Sequence, residues 1–387
     1  MAGGLLNLVA YGNQNVILTG NPTKTLFKCA YAKYTNFGLQ KFRIDYDGLR
    51  TMQIDSASHF SFKVPRYADL LMDTYLVVTL PTIWSPIVPP KNTENDDVES
   101  RWRPYEFKWI KHIGTQMIER VRFTIGGQTI QEYTGQYLHN LVERDFDASK
   151  KALYYKMTGH TPEMNDPANA YGNINTYPNA YYTSNDEGPE PSIRTRKLYI
   201  PLNIWFTLAA KMAFPLASLQ YNELHIEIDL RPARELFVIR NIPSSNDQFS
   251  YYKKSSSTNP KEQFYRFIHP PPTAALNDND YTDKRTNWNA DVHLISTYAF
   301  LTDEEVRVFA ANPQTYLIKQ AYSQTFHNIT GPQKVKLQTM GMVANWTWFF
   351  QRSDATLRNE WSNYTNWPYD SLPYGVVDPS DLSNVSV

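Results

Sequence analysis

The stretch from Lys197 to Pro232, KLYIPLNIWFTLAAKMAFPLASLQYNELHIEIDLRP, restricts the possible folds more than any other part of the chain. Its last part alternates strictly. Leu224, Ile226, Ile228 and Leu230 fall on one face, and His225, Glu227, Asp229 and Arg231 fall on the other. Such a pattern predicts a β-strand with one face on a core and the other toward water or a neighbouring molecule. Upstream, KLYIPL reads as another strand, and a short apolar helix is expected from about Asn203 to Ala213. Pro215 ends that helix, because the residue before a proline is pushed out of the helical region. None of these side chains forms a catalytic pattern, so the most strongly patterned block favours a structural protein over an enzyme.

Strand signals dominate from Thr25 to about Ile242. SFKV alternates around Phe60, Phe62 and Val64, and TYLVVTLP is a continuous apolar run suited to burial on both faces. In ERVRFTIGGQTIQEY, Val121, Phe123 and Ile125 alternate up to Gly126-Gly127, whose tolerance of positive φ predicts a tight hairpin turn. One helix is expected across GQYLHNLVERDFDASKKALYYKM, stopped at Gly159. Residues 160–191 turn to Asn, Pro, Tyr, Gly and Asp and read as a long surface loop, and 243–289 reads as an inter-domain linker. Beyond it, DVHLISTYAFL, TYLIKQ, VKLQTMGMV and NWTWFF are predicted strands, and Thr302 with Glu305 forms a capping box for the helix DEEVRVFAAN. About eight strands thus precede the linker and three or four follow it.

A length of 387 residues suggests two domains. Lys and Arg (38) balance Asp and Glu (38), which argues against a sheath for nucleic acid and suits copies that must pack together. Aromatic residues make up 14%, including 27 tyrosines, a bias toward strands and broad contact surfaces. The single cysteine, Cys29, excludes an internal disulfide and reads as a small core residue in a reducing compartment. Residues 1–24 read as an arm with no secretory signal, and no run approaches the ~20 apolar residues of a membrane span.

No catalytic, cofactor-binding or metal-ligating residues are assigned, because GxGxxG, Walker, HExxH and GxSxG patterns are all missing. His139 and His160 are the closest pair among the eight histidines, too far apart in sequence for a local ligand pair. Asn95-Asp96-Asp97 reads as a polar loop, and Asp303-Glu304-Glu305 as the acidic first turn of a helix. Arg101, Arg103, Lys108 and Lys111 interleave with Trp102, Tyr105, Phe107 and Trp109, which is read as a strand with a solvated face rather than a base-stacking platform. Sequons at Asn328, Asn345, Asn363 and Asn384 are glycosylation candidates by pattern alone, and Asn345 is expected to be buried.

Several long segments nonetheless carry a resemblance. LLNLVAYGNQNVILTGNPTKTLFKCAYAKYTNF, FKWIKHIGTQMIERVRFTIGGQTIQEYTGQYLHNLVERDF, the Lys197–Pro232 block and LQTMGMVANWTWFFQRSDATLRNEWSNYTNWPYD are similar to the major capsid proteins of nucleocytoplasmic large DNA viruses, nearest in wording to the mimivirus-like and algal-virus branches. The resemblance implies an all-β chain with short helical insertions, built as a double jelly roll. Its parts would be an arm at 1–24, a first jelly roll at 25–242, a linker at 243–289, and the N-terminal part of a second jelly roll at 290–387. The arm would lie on the inner side of the shell, and loop 160–191 would be a tower or inter-subunit loop. It implies a virion protein, made and assembled in the host cytoplasm, that forms homotrimeric pseudo-hexagonal capsomers. These would meet neighbouring capsomers and, on the inner face, minor capsid proteins, with no cofactor, no direct nucleic acid and no membrane insertion.

The family's second jelly roll extends past WSNYTNWPYD, so the second barrel is expected to be incomplete here. The alternatives are a jelly-roll carbohydrate-binding protein, which would bind glycans through aromatics in 171–182, and a cupin-like enzyme, disfavoured by the missing HxH pair. Residues 1–387 expressed alone are expected to aggregate or to be partly disordered after about residue 290. A soluble trimer that melts cooperatively would overturn that expectation.

Overall fold

The structure is a computed structural model that describes residues 35–85, 87–88, 103–174, 176–178, 180, 189–219, 221–241, 252–272, 281–338 and 341–367. The chain divides into two units, Met1–Phe37 and Gly38–Val387, and all that follows concerns the second. The expected N-terminal arm and Cys29 lie outside the described residues.

Thirteen strands are described: β1 (Gly38–Asp45), β2 (Ser58–Lys63), β3 (Leu70–Leu80), β4 (Ile87–Val88), β5 (Arg103–Trp109), β6 (Ile118–Ile125), β7 (Gln128–Tyr133), β8 (Arg196–Pro201), β9 (Phe214–Pro215), β10 (Leu224–Leu230), β11 (Phe237–Asn241), β12 (Tyr252–Lys253) and β13 (His293–Phe300). The helices are α1 (Ile113–Gln116), α2 (Gly135–Asp145), α3 (Ala148–Thr158), α4 (Pro162–Asn165), α5 (Tyr265–Ile268) and α6 (Asp303–Ala311). The protein is mostly β with short helices, as expected.

One sheet has the order β1-β13-β3-β8, with β9 beside β3, and a second has the order β2-β10-β6-β7. Every pairing is antiparallel, and apart from the β6–β7 hairpin and the short β9 the chain crosses from one sheet to the other between successive barrel strands, giving the strand order of an eight-stranded jelly roll. A third sheet, β12-β11-β5-β4, is built from two connections, the one between β3 and β6 and the one between β10 and β13.

The alternation of β10 sets the core. Leu224, Ile226, Ile228 and Leu230 are buried and the residues between them are half-exposed, as the sequence pattern requires. One apolar cluster joins Ile226 and Ile228 to Phe60 and Phe62 of β2, Val121 and Phe123 of β6, Leu71 and Val78 of β3, Leu198 and Ile200 of β8, and Leu294 of β13. Each such side chain contributes about 1.5–3 kcal/mol by leaving water. The β6–β7 turn is the expected hairpin, with Gly126 and Gly127 at φ 56° and 83°.

The structure corrects several expectations. The strand at 293–300, assigned from sequence to a second jelly roll, lies between β1 and β3 in the first barrel, paired with both. The described parts of 243–289 are not a linker either: they hold β12 and α5, and Phe264, Phe267 and Ile268 are buried in the core cluster. The apolar helix at 203–213 is instead two 3₁₀ turns, Trp205–Thr207 and Ala210–Met212, with extended Ala209 between them. Burial of Trp205 and Phe206 shapes this segment, with Asn203 at φ 49° ahead of it. The single helix at 135–157 is two. Phe146 and Asp147 are extended, and the Asp147 carboxylate caps α3 by accepting from Lys150 N at 2.6 Å. Gly159, at φ 79°, ends α3 as expected.

Asp303, Glu304 and Glu305 form the first turn of α6, but the Thr302 side chain makes no capping bond there. TYLIKQ, NWTWFF and the described residues of VKLQTMGMV form no strand, since a strand needs a ladder partner and none of the described segments supplies one.

Two changes probe this packing. A Cβ on Gly135 would overlap the carbonyl oxygens of Thr115 and Ile118, so Gly135→Ala is expected to cost about 3 kcal/mol, read as a lower urea midpoint. In the third sheet, buried Glu106 pairs with Arg240 at 3.3 Å and accepts from Tyr252 Oη at 2.9 Å. Arg240→Met removes that cation and is expected to cost about 3–5 kcal/mol, most of it recovered in the double variant with Glu106→Leu.

Candidate assembly surfaces

The outward face of the second sheet is built by the polar half of β10. Asp229 stands opposite His59 on β2 and Arg120 on β6, and Glu227 stands opposite Arg122, which stands opposite Glu132 on β7. The side chains meet accordingly: Asp229 lies 2.5 Å from His59 Nδ1 and 2.6 Å from Arg120 Nη2. Arg122 bridges Glu227 at 2.8 Å and Glu132 at 2.9 Å. At the strand end Lys63 pairs with Glu223. Burial opposes ionisation of Asp229, but hydrogen bonds from His59 and Arg120 outweigh it and hold the carboxyl below its usual range. Half-exposed pairs of this kind stabilise by at most ~1 kcal/mol each. Their larger effect is to leave a patterned face of alternating sign with no cationic excess for a phosphate backbone to exploit.

A second surface is apolar. Residues 316–321 run beside β7: Tyr316 Oη donates to Ala213 O at 3.2 Å, Gln131 Nε2 to Lys319 O at 3.2 Å, and Gln320 Nε2 to Ile130 O at 3.1 Å. Past them the chain exposes Val335 and Leu337, then Met342 and Val343, then Trp346, Trp348 and Phe350. Trp348 is 78% exposed and Met342 99%. Runs of this kind, apolar at alternate positions, are what a sheet would cover. Residues 351–367 return to the barrel. Asn359 Nδ2 donates to Arg234 O and Phe237 O, Trp361 Nε1 donates to Glu235 O, and Arg231 stacks over the Trp361 ring at 3.8 Å.

Loop 160–191 is only partly a surface loop. Met164, Ala168, Ala170 and Tyr177 are buried, and the Tyr177 hydroxyl donates to Phe107 O at 2.6 Å while accepting from Phe107 N at 3.1 Å. Burial pushes that phenol well above its ordinary range. Tyr171 and Ile174 form the exposed turn, and residues 181–188 lie outside the described residues.

Tyr105, Phe107 and Trp109 are buried, so they offer no face to a nucleic-acid base, and Lys108 caps the Tyr252 ring at 3.9 Å. Arg101, Trp102 and Asn95-Asp96-Asp97 lie outside the described residues. Among the sequons, Asn328 is exposed, and so is Asn345, which corrects the expected burial because the surrounding segment lacks a partner sheet. Asn363 is buried: its amide nitrogen donates to Trp367 O at 3.0 Å, and its oxygen accepts from Thr365 N and Oγ1, leaving the nitrogen inaccessible to a transferase. Asn384 lies outside the described residues.

Sequence spacing missed one cluster. The fold brings His112, His139 and His160 together, with ring centroids 4.4 Å apart for His112–His139 and 3.8 Å for His112–His160. The His112 and His160 rings stack rather than converge on a point, and among the described residues no group of three His, Cys, Asp or Glu could hold a metal ion. Nor, among those residues, is any helix long and apolar enough to cross a membrane.

Known proteins share this sequence pattern. The major capsid protein of Chrysochromulina ericina virus is 31% identical, aligned over 83% of this chain and 52% of its own length. Capsid protein 1 of Acanthamoeba polyphaga mimivirus is 29% identical over 83% of this chain and 43% of its own. The chain spans about half the length of the curated relatives it matches. Among solved structures, the Faustovirus major capsid protein aligns with a TM-score of 0.47 at 14% identity, covering 80% of this chain and 64% of that one. The family model described as the major capsid protein N-terminus matches residues 25–266, more than half of the chain, and the chain belongs to that family.

Proposed function

We propose that this chain is the shell-forming region of a viral major capsid protein, a non-enzymatic building block that acts by packing against copies of itself. The observation that carries the reading is the family match over residues 25–266. The fold is in keeping with it: a jelly roll hides most of its strand edges, and the outward faces offer patterned charge and exposed apolar side chains rather than a cleft.

The finer reading is a homotrimer of pseudo-hexagonal outline that tiles an icosahedral shell in the virion. Each subunit contributes two jelly rolls, the first closed by β13. The exposed alternating segments at 335–338 and 345–350 are then strands whose ladder partners belong to the second barrel. Minor capsid proteins meet the inner face of the shell. Assembly takes place in the host cytoplasm. Among the described residues of loop 160–191, the exposed turn around Tyr171 and Ile174 is available to a neighbouring subunit.

The test is the mass and shape of the full-length protein by light scattering and electron microscopy. Trimers with a pseudo-hexagonal outline are expected. Monomers under every assembly condition would overturn the reading.

A further inference from the structure

The histidine cluster joins parts of the fold that are remote in sequence. His112 precedes α1 in the left-handed region, at φ 54° and ψ 38°. Its backbone N–H donates to His160 Nδ1 at 3.2 Å, and Asn165 Nδ2 lies 3.0 Å from the same nitrogen. An imidazole nitrogen that accepts from two donors carries no proton, so His160 is held neutral with its hydrogen on Nε2. The His160 ring lies nearly flat on His112, 12° from parallel. Tyr155 of α3 meets both rings, at 5.2 Å and 4.9 Å. His139, buried on α2, continues the stack to Tyr364, whose ring is 6.4 Å away and 11° from parallel.

We propose that His112, His139 and His160 form an acid-sensitive latch that holds α1–α3 and the Tyr364 end of segment 351–367 on the barrel at neutral pH, and releases them in mild acid. The latch rests on the cluster geometry alone and is independent of the assembly reading above.

The charged and titratable groups facing the cluster pull in both directions, and burial decides the balance. Lys111 adjoins His112 in the chain and adds repulsion. From α2 comes Glu143, a carboxylate already engaged by Lys151 and Tyr155 of α3. From the later segment comes the neutral phenol of Tyr364, linked to Gln136. Burial first, then His160, His139 and Lys111, push His112 from 6.5 down to about 2. Burial lowers His139 as well, Glu143 opposes it, and Lys151 adds to the lowering. His160 can take up a proton on Nδ1 only by giving up both of its donors.

The sign follows. The closed form binds fewer protons than the open form below the ordinary histidine pKa of about 6.5, so closure is fully stabilised above that pH and weakens as pH falls through it. Each withheld proton raises the opening equilibrium by up to about tenfold per pH unit.

Hydrogen–deuterium exchange of the full chain at about pH 7.5 and 5.5, corrected for the intrinsic pH dependence of amide exchange, tests this. Exchange in 113–158 and 359–367 is expected to rise at least about tenfold at the lower pH, while β6 and β10 stay unchanged. The variant His112→Asn/His139→Phe keeps a residue tolerant of the left-handed region and a ring against Tyr364. It is expected to lose most of the acid response with little change at neutral pH. A flat wild-type profile overturns the latch, as does a rise spread evenly over the barrel or an undiminished response in the variant. Should the variant fail to fold, the wild-type profile decides alone.

Discussion

The barrel depends on one ladder, that of β13. This strand is hydrogen-bonded to β1 along one edge and to β3 along the other, although it follows both by most of the barrel's length. Among the described residues β1 has no other ladder partner, so without β13 the first sheet falls into two pieces. Side chains reinforce the closure. The Thr74 and Ser296 hydroxyls meet at 3.0 Å in the interior, Tyr298 Oη donates to Pro65 O at 2.9 Å, and Trp288 Nε1 donates to Thr79 O at 2.8 Å. The buried face of β10 opposes this sheet, so the apolar cluster is enclosed only when β13 is in place.

With the core enclosed, function passes to the outside. The cross-strand charges of the second sheet satisfy one another, which lets that face meet another protein surface without leaving an uncompensated charge. The stretch with Trp346, Trp348 and Phe350 has the opposite character: its aromatic side chains stay in water.

What could be read from the sequence was what short-range physics decides. The alternation of Leu224 to Leu230, the Gly126-Gly127 hairpin and the Gly159 stop all depend on residues within a few positions. The Asp147 cap was present in the letters too, three residues before a helical amide, but the apolar spacing of the surrounding helix masked it. Placements set by distant partners were not legible. Nothing local in HLISTYAF tells whether it closes a first barrel or opens a second, so the domain boundary was misplaced. The stacking of His112, His139 and His160 and the burial of Tyr177 likewise exist only once remote segments meet.

The late position of β13 also has a consequence for the chain's birth. A ribosome adds about 5–20 residues per second, so the edges of β1 and β3 wait roughly 10–50 seconds before their shared neighbour emerges. During that interval two sheet edges and half of an apolar core are open to any other nascent copy nearby. That exposure is most hazardous where several copies are being made side by side. The order of strands thus lengthens the time over which an unfinished barrel can pair with the wrong edge.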